Sequence, residues 1–180
     1  MEYRHIILDR DGVLNREAPA AGYIREPAEF VWLPGALEAL ASLRHAGAHL
    51  SVATNQSGVG RGLMSLAQLE AVHHRMRTEA ARHGADLDDV LFCPHAPGDG
   101  CSCRKPEPGL IRAAIARSGI PAAESVVVGD DLRDLEAAAR AGVSAVLVRT
   151  GKGRKAEAQL SGTKVPTYDD LAELARALLG

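Results

Sequence analysis

The sequence contains few aromatic residues, no basic run and no long apolar run, and each shortage excludes a class of protein. Only 3% of its 180 residues are Phe, Trp or Tyr, which argues against a surface that stacks unpaired nucleobases. Lys and Arg number 21 against 23 acidic residues, for a net charge of −2, which argues against a nucleic-acid partner. No apolar stretch approaches a membrane span, and the N-terminus lacks the apolar segment of a signal peptide. We therefore expect a cytoplasmic protein with neither a nucleic-acid nor a membrane partner.

The chain has the length and the aliphatic content of one globular domain, residues 1–180, with 46% hydrophobic residues. Short apolar runs alternate with segments of helical periodicity. The predicted strands are 6–8, 49–53, 90–92, 125–128 and 145–148. The predicted helices are 36–44, 65–83, 110–117, 135–141 and 168–179. The segments 16–32 and 152–164 are predicted to be loops. This alternation predicts an α/β fold, a three-layer doubly wound parallel sheet without a separate cap domain.

Polar side chains follow three of the predicted strands at the point where each strand ends. Asp9 and Asp11 come after the first, Thr54 after the second, and Asp130 with Asp131 after the fourth. In open parallel sheets, ligands bind beyond the carboxyl ends of the strands. Two aspartates at i and i+2 on an extended segment point the same way, and they repel each other unless a cation or a proton intervenes. The alternative is a strand followed by an ordinary polar turn.

These side chains have the chemistry of a phosphoryl-transfer site. Carboxylates from Asp9, Asp11 and Asp130 suit Mg²⁺, which prefers oxygen ligands and often bridges to a substrate phosphate. Thr54 offers a hydroxyl, and Lys105 offers a positive charge for phosphoryl oxygens. Together they supply a nucleophile, a second carboxylate, a metal site and anion-binding groups, as transfer through an aspartyl-phosphate requires.

The order of these groups resembles the haloacid-dehalogenase phosphatase superfamily, whose four motifs match Asp9-Arg10-Asp11-Gly12-Val13, Val52-Ala53-Thr54-Asn55-Gln56, Lys105-Pro106 and Gly129-Asp130-Asp131. The resemblance implies that Asp9 is the nucleophile and that Asp11 is the general acid and then the general base. It implies that Thr54 and Lys105 stabilise the transferring phosphoryl group. It also implies that Asp130, Asp9 and the backbone carbonyl of Asp11 hold Mg²⁺ in a Rossmann-like fold.

Three residues within or near these motifs carry further expectations. Asp11 should keep a proton until substrate arrives, because a general acid must have one to give. Arg10 should point away from Asp11 and serve the structure alone, since side chains alternate along a strand. Asp134 should be an ordinary acidic residue at a helix N-terminus.

All three cysteines of the chain lie between residues 93 and 103, beside a histidine. Cys93, His95, Cys101 and Cys103 form a Cys₃His set, which matches a closed, tetrahedral Zn²⁺ site. Because all four positions would be filled by protein, we expect a structural zinc that orders the loop presenting Arg104 and Lys105. The alternative is three incidental cysteines.

The cysteine loop resembles two branches of the superfamily, the phosphatases of heptose 1,7-bisphosphate, which serve lipopolysaccharide-precursor synthesis, and those of histidinol phosphate. Segments 22–23, 54–62 and 148–151 are more similar to the heptose branch. A bisphosphate needs a second anion site, whereas histidinol phosphate needs an acidic partner, for which Glu17 is the candidate. The predicted substrate contacts are Tyr23, Asn55, Gln56, Ser57, Arg61, Arg104 and Asp131. In some relatives a basic residue stands at the position of Asp131.

Two other classes remain open. A phospho-accepting receiver domain also combines Asp, Thr and Lys on a doubly wound sheet, but it performs no sustained turnover and requires neither Asp11 nor a zinc loop. A non-catalytic zinc interaction module would keep its function without Asp9. We predict the phosphatase, acting on a phosphorylated sugar as a monomer.

Overall fold

The computed structural model describes residues 2–18, 22–160 and 164–180. It contains one sheet of six parallel strands in the order β3-β2-β1-β4-β5-β6. The strands are β1 (His5–Leu8), β2 (His49–Asn55), β3 (Asp89–Cys93), β4 (Ser125–Gly129), β5 (Ser144–Val148) and β6 (Thr167–Tyr168). The helices are α1 (Ala36–His45), α2 (Leu66–Arg82), α3 (Gly109–Ser118), α4 (Leu132–Ala141), α5 (Gly153–Glu157) and α6 (Leu171–Leu179), with short 3₁₀ turns at Pro27–Glu29 and Ala122–Glu124. The predicted doubly wound sheet is confirmed.

Helices cover both faces of the sheet, as the nearly unbroken apolar strands require. Ile6 and Leu8 of β1 pack in a core with residues of α1, α2 and α6. Ile7, between them, points the other way and packs in a second core with α3 and α4. Each fully buried aliphatic side chain of this kind contributes about 1.5–3 kcal/mol through its removal from water. The three layers therefore follow from the alternation of side chains along each strand.

Helix α4 begins earlier than periodicity predicts. Asp131 is its N-cap and accepts a hydrogen bond from the backbone N–H of Arg133, while the Asp134 carboxylate accepts one from the backbone N–H of Asp131. This reciprocal capping lets the helix start at Leu132 rather than at the predicted Leu135.

The chain after β5 also differs from the prediction. The segment 152–164 is not entirely loop, because α5 occupies Gly153–Glu157; positions 161–163 of that prediction lie outside the described residues. Thr167 and Tyr168 pair with β5, and α6 begins only at Leu171, with Asp170 as its N-cap. These elements are short, so they leave little periodic signal.

The described part of segment 16–32, which was predicted to be a loop, is anchored to the core rather than free. Ile24 and Phe30 are buried, and the Trp32 indole N–H donates to the Glu79 carboxylate at 2.7 Å. The segment lies beside the carboxyl end of β1. Positions 19–21 lie outside the described residues.

Strand order reverses between β1 and β4, so the connections on either side of these two strands lead away in opposite directions. This reversal opens a crevice beyond their carboxyl ends, where ligands bind in doubly wound sheets. Asp9 follows β1 and Asp130 follows β4, at the two walls of that crevice. In the part of the chain that the structure covers, none of the helices has both the length and the apolar character needed to cross a bilayer.

Candidate active site

A cavity of about 170 Å³ lies in this crevice, and most of its wall is charged or polar. We call it the first cavity. Residues at or after the carboxyl ends of five strands, β1 to β5, line it, because the parallel sheet brings those ends to one edge. They include Asp9, Asp11, Thr54, Lys105, Asp130 and Asp134. The structure thus brings together the four catalytic residues predicted from the sequence.

Lys105 is the buried cation of the first cavity, with only 3% of its side chain exposed. Its Nζ lies 3.0 Å from Asp9 Oδ1 and 2.5 Å from Asp134 Oδ1. Burial alone would lower its pKa, but the Asp134 and Asp9 carboxylates outweigh burial and raise it. Lys105 therefore stays protonated and is available to a phosphoryl oxygen.

Asp134 was expected to be only a helix N-terminal residue. It does cap α4, but it is also 1% exposed and belongs to a carboxylate cluster with Asp9 and Asp130. We call these three residues the carboxylate cluster. The sequence signal that could have revealed this role is Gly129: a Cβ there would lie 2.2 Å from Asp134 Cβ, so only glycine permits the approach.

The backbone of Gly12, Gly151 and Lys152 closely surrounds the Asp130 carboxylate, and we call these three residues the Asp130 cradle. A Cβ added at Gly12 or at Gly151 would lie 2.0 Å from Asp130 Oδ2, and both glycines have positive φ, 89° and 54°. The backbone N–H of Lys152 donates to the same oxygen at 2.8 Å. Segment 150–153, after β5, is therefore part of the site, which sequence reasoning did not identify.

The carboxylate cluster has more negative charge than its protein partners neutralise. Burial, followed by the charges of Asp9 and Asp134, raises the pKa of Asp130 to about 8. Burial and the charge of Asp9 raise the pKa of Asp134 to about 6, against the pull of Lys105. One oxygen of each of these three carboxylates lies within 4.8 Å of the others. A set of hard oxygen ligands with excess charge fits a divalent cation such as Mg²⁺.

Asp11 is held by four side-chain donor atoms. Arg10 donates to its carboxylate through Nη2, at 2.9 Å and 3.0 Å, and through Nε at 3.3 Å; Asn15 and Gln56 donate at 2.9 Å and 2.8 Å. Burial opposes the charge on Asp11, but Arg10 and these hydrogen bonds outweigh it and hold its pKa below the usual range. The expectation of a retained proton is thus wrong for this geometry.

The expectation that Arg10 points away from Asp11 is also wrong. Alternation along a strand does not apply here, because β1 ends at Leu8 and the chain turns at Arg10, whose carbonyl accepts from the backbone N–H of Leu14 at 2.9 Å. The long side chain then reaches back to its neighbour.

The residues after β2 hold other site residues in place. Asn55 donates to the Lys105 carbonyl at 2.9 Å and accepts from the Lys105 N–H at 3.0 Å. Gln56 bridges the Asp11 carboxylate and the Thr54 hydroxyl, 3.0 Å away. Both amides were predicted to contact substrate; in the structure they contact catalytic candidates.

A second cavity of about 330 Å³ adjoins the first, and its wall is about half apolar. Tyr23 and Ile24 line it, as does Glu17. Asp11, Asn55 and Lys152 line both cavities and therefore mark their boundary. Lys152 forms an ion pair with Glu17 across the second cavity, a role that its predicted loop position did not indicate.

The remaining predicted substrate contacts divide into two groups. Ser57 and Arg104 line the first cavity, and the Ser57 hydroxyl lies 3.2 Å from that of Tyr23. Asp131 lines it too, but forms a bidentate pair with Arg133, which lowers the pKa of Asp131 to about 2 against the effect of burial. Arg61 is exposed and is not among the described residues that line either cavity, because its turn folds toward Pro94 through a hydrogen bond from Gly60.

Cys93, His95, Cys101 and Cys103, which we call the cysteine cluster, have their ligand atoms within 4.8 Å of one another. Cys93 Sγ lies 3.7 Å from Cys101 Sγ and 3.4 Å from His95 Nδ1. A tetrahedral zinc with Zn–S bonds of about 2.3 Å separates two sulfurs by about 3.8 Å. The Cys93–Cys101 distance matches this value, whereas Cys93 and Cys103 lie closer together, at 3.1 Å. Burial and the contact with Cys103 raise the pKa of the Cys93 thiol to about 12, which a metal would reverse.

Comparison with known proteins places this chain among characterised phosphatases. The HAD-hydrolase-like family matches residues 102–174. D-glycero-β-D-manno-heptose-1,7-bisphosphate 7-phosphatase from Bordetella bronchiseptica is 47% identical over 97% of both chains. The enzyme of the same name from Pseudomonas putida is 44% identical over 97% of this chain and 98% of its own.

The fold agrees with a solved structure of the same kind. The crystal structure of D,D-heptose 1,7-bisphosphate phosphatase from B. bronchiseptica, complexed with magnesium and phosphate, superimposes with a TM-score of 0.92. The sequences are 46% identical, and the alignment covers 98% of each chain.

Proposed function

This chain belongs to the HAD-like hydrolases, in the family of the heptose 1,7-bisphosphate 7-phosphatases, and we propose that it removes the 7-phosphate of D-glycero-β-D-manno-heptose 1,7-bisphosphate. In that role it would supply the monophosphate to lipopolysaccharide-precursor synthesis. The observation that carries the proposal is the position of Asp11, at the boundary between a small charged cavity and a larger, half-apolar one. We infer that the phosphoryl group occupies the first cavity and the sugar the second, with the bond between them beside Asp11.

The residues of the first cavity account for the first half of the reaction. Asp9 attacks phosphorus and forms the aspartyl-phosphate, while Lys105 and Thr54 stabilise the charge on the transferring oxygens. Asp11 gives a proton to the sugar oxygen as it leaves toward the second cavity. A phosphate dianion beside Asp11 opposes the charge of Arg10 and thus favours the protonated carboxyl.

In the second half, Asp11 takes a proton from the water that attacks phosphorus, the bond between Asp9 and phosphorus breaks, and inorganic phosphate leaves. Asp9, Asp130 and the Asp11 carbonyl would hold Mg²⁺, which lowers the charge of the cluster and polarises the phosphoryl group. Asp134 stays with Lys105 and keeps that ammonium aimed at Asp9.

The cysteine cluster would hold a structural Zn²⁺. The backbone of Lys105 is fixed by Asn55 on one side and follows Cys103 by two residues on the other. Ordering the loop therefore positions the catalytic ammonium and Arg104, which lines the first cavity beside it. We further propose that the 180 residues act as one domain, as a monomer, in the cytoplasm.

The choice of substrate rests on the relatives and on Glu17. Histidinol phosphate carries a cationic amine that needs an acidic partner, but Glu17 already pairs with Lys152. Two relatives that are 47% and 44% identical to this chain are named for the β anomer of the heptose. Both facts favour the sugar bisphosphate.

The test is a set of turnover assays with Mg²⁺, followed by ³¹P NMR. We expect the C7 resonance of the β-anomer bisphosphate to disappear while the C1 phosphate is retained, with the α anomer and histidinol phosphate turned over at least 10-fold more slowly. Asp9→Asn and Asp11→Asn should abolish the sustained release of phosphate. Asp86→Asn should not, because Asp86 is exposed and is not among the described residues that line either cavity. A preference for histidinol phosphate, or a single turnover that leaves stable phosphoprotein, would overturn the proposal.

A further inference from the structure

Arg10 is an unusual residue, because it is among the largest fully buried side chains among the described residues although it carries a full charge. Its side chain is 1% exposed. The guanidinium forms its ion pair with Asp11, the neighbouring residue, through both Nη2 and Nε. Burying such a pair costs desolvation free energy that its attraction often fails to recover, so stability alone is a weak reason for it.

The other end of the guanidinium contacts His73 on α2. Arg10 Nη1 lies 3.1 Å from His73 Nε2, and the His73 ring lies against Phe92, with centroids 5.6 Å apart. Burial, together with the charge of Arg10, lowers the pKa of His73 to about 3. The imidazole is therefore neutral, and its Nε2 can accept a hydrogen bond from Arg10 Nη1. This hydrogen bond fixes the plane of the guanidinium.

A planar, anchored guanidinium sets the orientation of a carboxylate in a way that a point charge cannot. The Asp11 side chain remains 28% exposed, and it lines both cavities. One side of the Asp11 carboxylate is thus held by Arg10, and the other side faces the place where a leaving oxygen would lie. Proton transfer demands such placement, since a displacement of about 1 Å can cost about 100-fold in rate.

We propose that Arg10, anchored by His73, is a positioning residue that holds the Asp11 carboxyl at the boundary of the two cavities for proton transfer to the leaving oxygen. This inference rests on the proposed function, which assigns Asp11 the role of general acid. It predicts a defect that depends on the leaving group. A poor leaving group such as a sugar alkoxide needs the proton, whereas a phenolate with electron-withdrawing groups does not.

The experiment compares kcat/KM for heptose 1,7-bisphosphate and for 4-nitrophenyl phosphate in one set of variants. This constant reports on the steps up to departure of the leaving group, before water attacks the aspartyl-phosphate. For Arg10→Met we expect a loss of about 30–100-fold with the sugar and of less than about 3-fold with the aryl ester. The loss with the sugar should fall on kcat, with KM within about 3-fold.

Two milder variants keep the test decisive if Arg10→Met does not fold. Arg10→Lys retains the charge without the planar fork and should show the same selectivity with an intermediate loss. His73→Leu removes the anchor of the guanidinium and should show the same selectivity with a loss of about 3–10-fold. Arg44→Met, which breaks a partly buried pair with Asp88 at the other end of the sheet, is the matched control and should show no selectivity.

Asp11→Asn separates failure of this inference from failure of the proposed function. Because sustained turnover is abolished in this variant, its selectivity, like that of the double variant, is measured from the pre-steady-state release of the leaving group. If Asp11→Asn itself shows no leaving-group selectivity, Asp11 is not the general acid and the proposed mechanism is wrong. If Asp11→Asn is selective but the Arg10 and His73 variants lose both activities equally, the positioning role alone is wrong. In the double variant Arg10→Met/Asp11→Asn, the selectivity should equal that of Asp11→Asn, because both changes act through one carboxyl.

Discussion

The carboxylate cluster and the cysteine cluster differ in the sequence distance that each one spans. Asp9 and Asp134 are separated by most of the domain and meet because β1 and β4 are neighbours in the sheet. The cysteine cluster spans residues 93–103 and closes within a single loop. The first site therefore exists only when the whole sheet has formed, whereas the second needs only one loop.

The two sites nevertheless meet at Lys105. The loop of the cysteine cluster leads directly into it, and a Cβ at Gly109 would lie 2.4 Å from the Ser102 carbonyl, so α3 packs tightly against that loop. Lys105 in turn lies 3.0 Å from Asp9. Changes in one site should thus affect the other to different degrees, and the following variants measure that difference.

The largest effect should come from the nucleophile. Asp9→Asn removes the attacking oxygen while keeping the shape, so kcat should fall by about 10³-fold or more. Zinc content, measured by atomic absorption, should remain at one per chain, because the cysteine cluster does not depend on Asp9. Residual turnover above one hundredth of wild type would show that another group attacks phosphorus.

The next largest effect should come from the cysteine cluster. Cys101→Ser removes one thiolate, and we expect loss of zinc with a decrease of about 3 kcal/mol or more in the free energy of unfolding. Activity should fall with it, since the loop that holds Lys105 is no longer ordered. Ser102→Ala, a neighbouring exposed position, is the control; unchanged stability in Cys101→Ser would show that the cluster binds no structural metal.

A smaller effect should follow from the Asp130 cradle. In Gly151→Ala the new Cβ meets Asp130 Oδ2 and Gly12 Cα, so Mg²⁺ affinity, read from the dependence of kcat/KM on Mg²⁺, should fall about 10–100-fold. Gly84→Ala is the matched control, because Gly84 also has positive φ, 73°, but a Cβ there meets nothing within 4 Å. If both variants behave alike, backbone strain and not the cradle explains the loss.

The smallest effect should appear at the opposite end of the sheet. Burial, together with the charge of His49, lowers the pKa of His5 from 6.5 to about 4, and Ser51 Oγ lies 2.8 Å from its Nε2. Between pH 6.5 and 4 the unfolded chain binds a proton at this position that the folded chain does not. His5 therefore contributes to stability above pH 6.5, and this contribution is lost as pH falls toward 4.

The measurement is the free energy of unfolding against pH for the wild type and for His5→Gln. The pH dependence between 6.5 and 4 should be shallower in His5→Gln, and the difference should be the same with and without added Mg²⁺, because His5 lies far from the crevice. If the difference in pH dependence between the wild type and His5→Gln changed with Mg²⁺, His5 would be coupled to the crevice at the other end of the sheet, which would contradict this prediction.

Sequence reasoning predicted what strand order and local spacing determine. Asp9, Thr54 and Asp130 follow strands whose carboxyl ends must share one edge, and four ligands within eleven positions need no fold at all to be recognised. Asp134 was not recognised as a member of the site, because its place depends on the start of α4, which capping moved to Leu132.

Arg10 and Lys152 show a second kind of limit. The contact of Arg10 with Asp11 depends on how the chain turns immediately after β1, which the alternation rule does not describe. Lys152 reaches the site through a backbone N–H, and any residue type except proline can supply that donor. Neither contact has a residue pattern that could predict it.

The central claim, that Asp9 attacks phosphorus in a crevice built by the reversal of strand order, is tested most directly by trapping the aspartyl-phosphate. The enzyme is mixed with heptose 1,7-bisphosphate and Mg²⁺, quenched in acid within milliseconds and reduced with borohydride, which converts an aspartyl-phosphate to homoserine. Peptide mass spectrometry should then place homoserine at position 9. An unmodified Asp9 beside rapid phosphate release, or homoserine at another aspartate, would contradict the account.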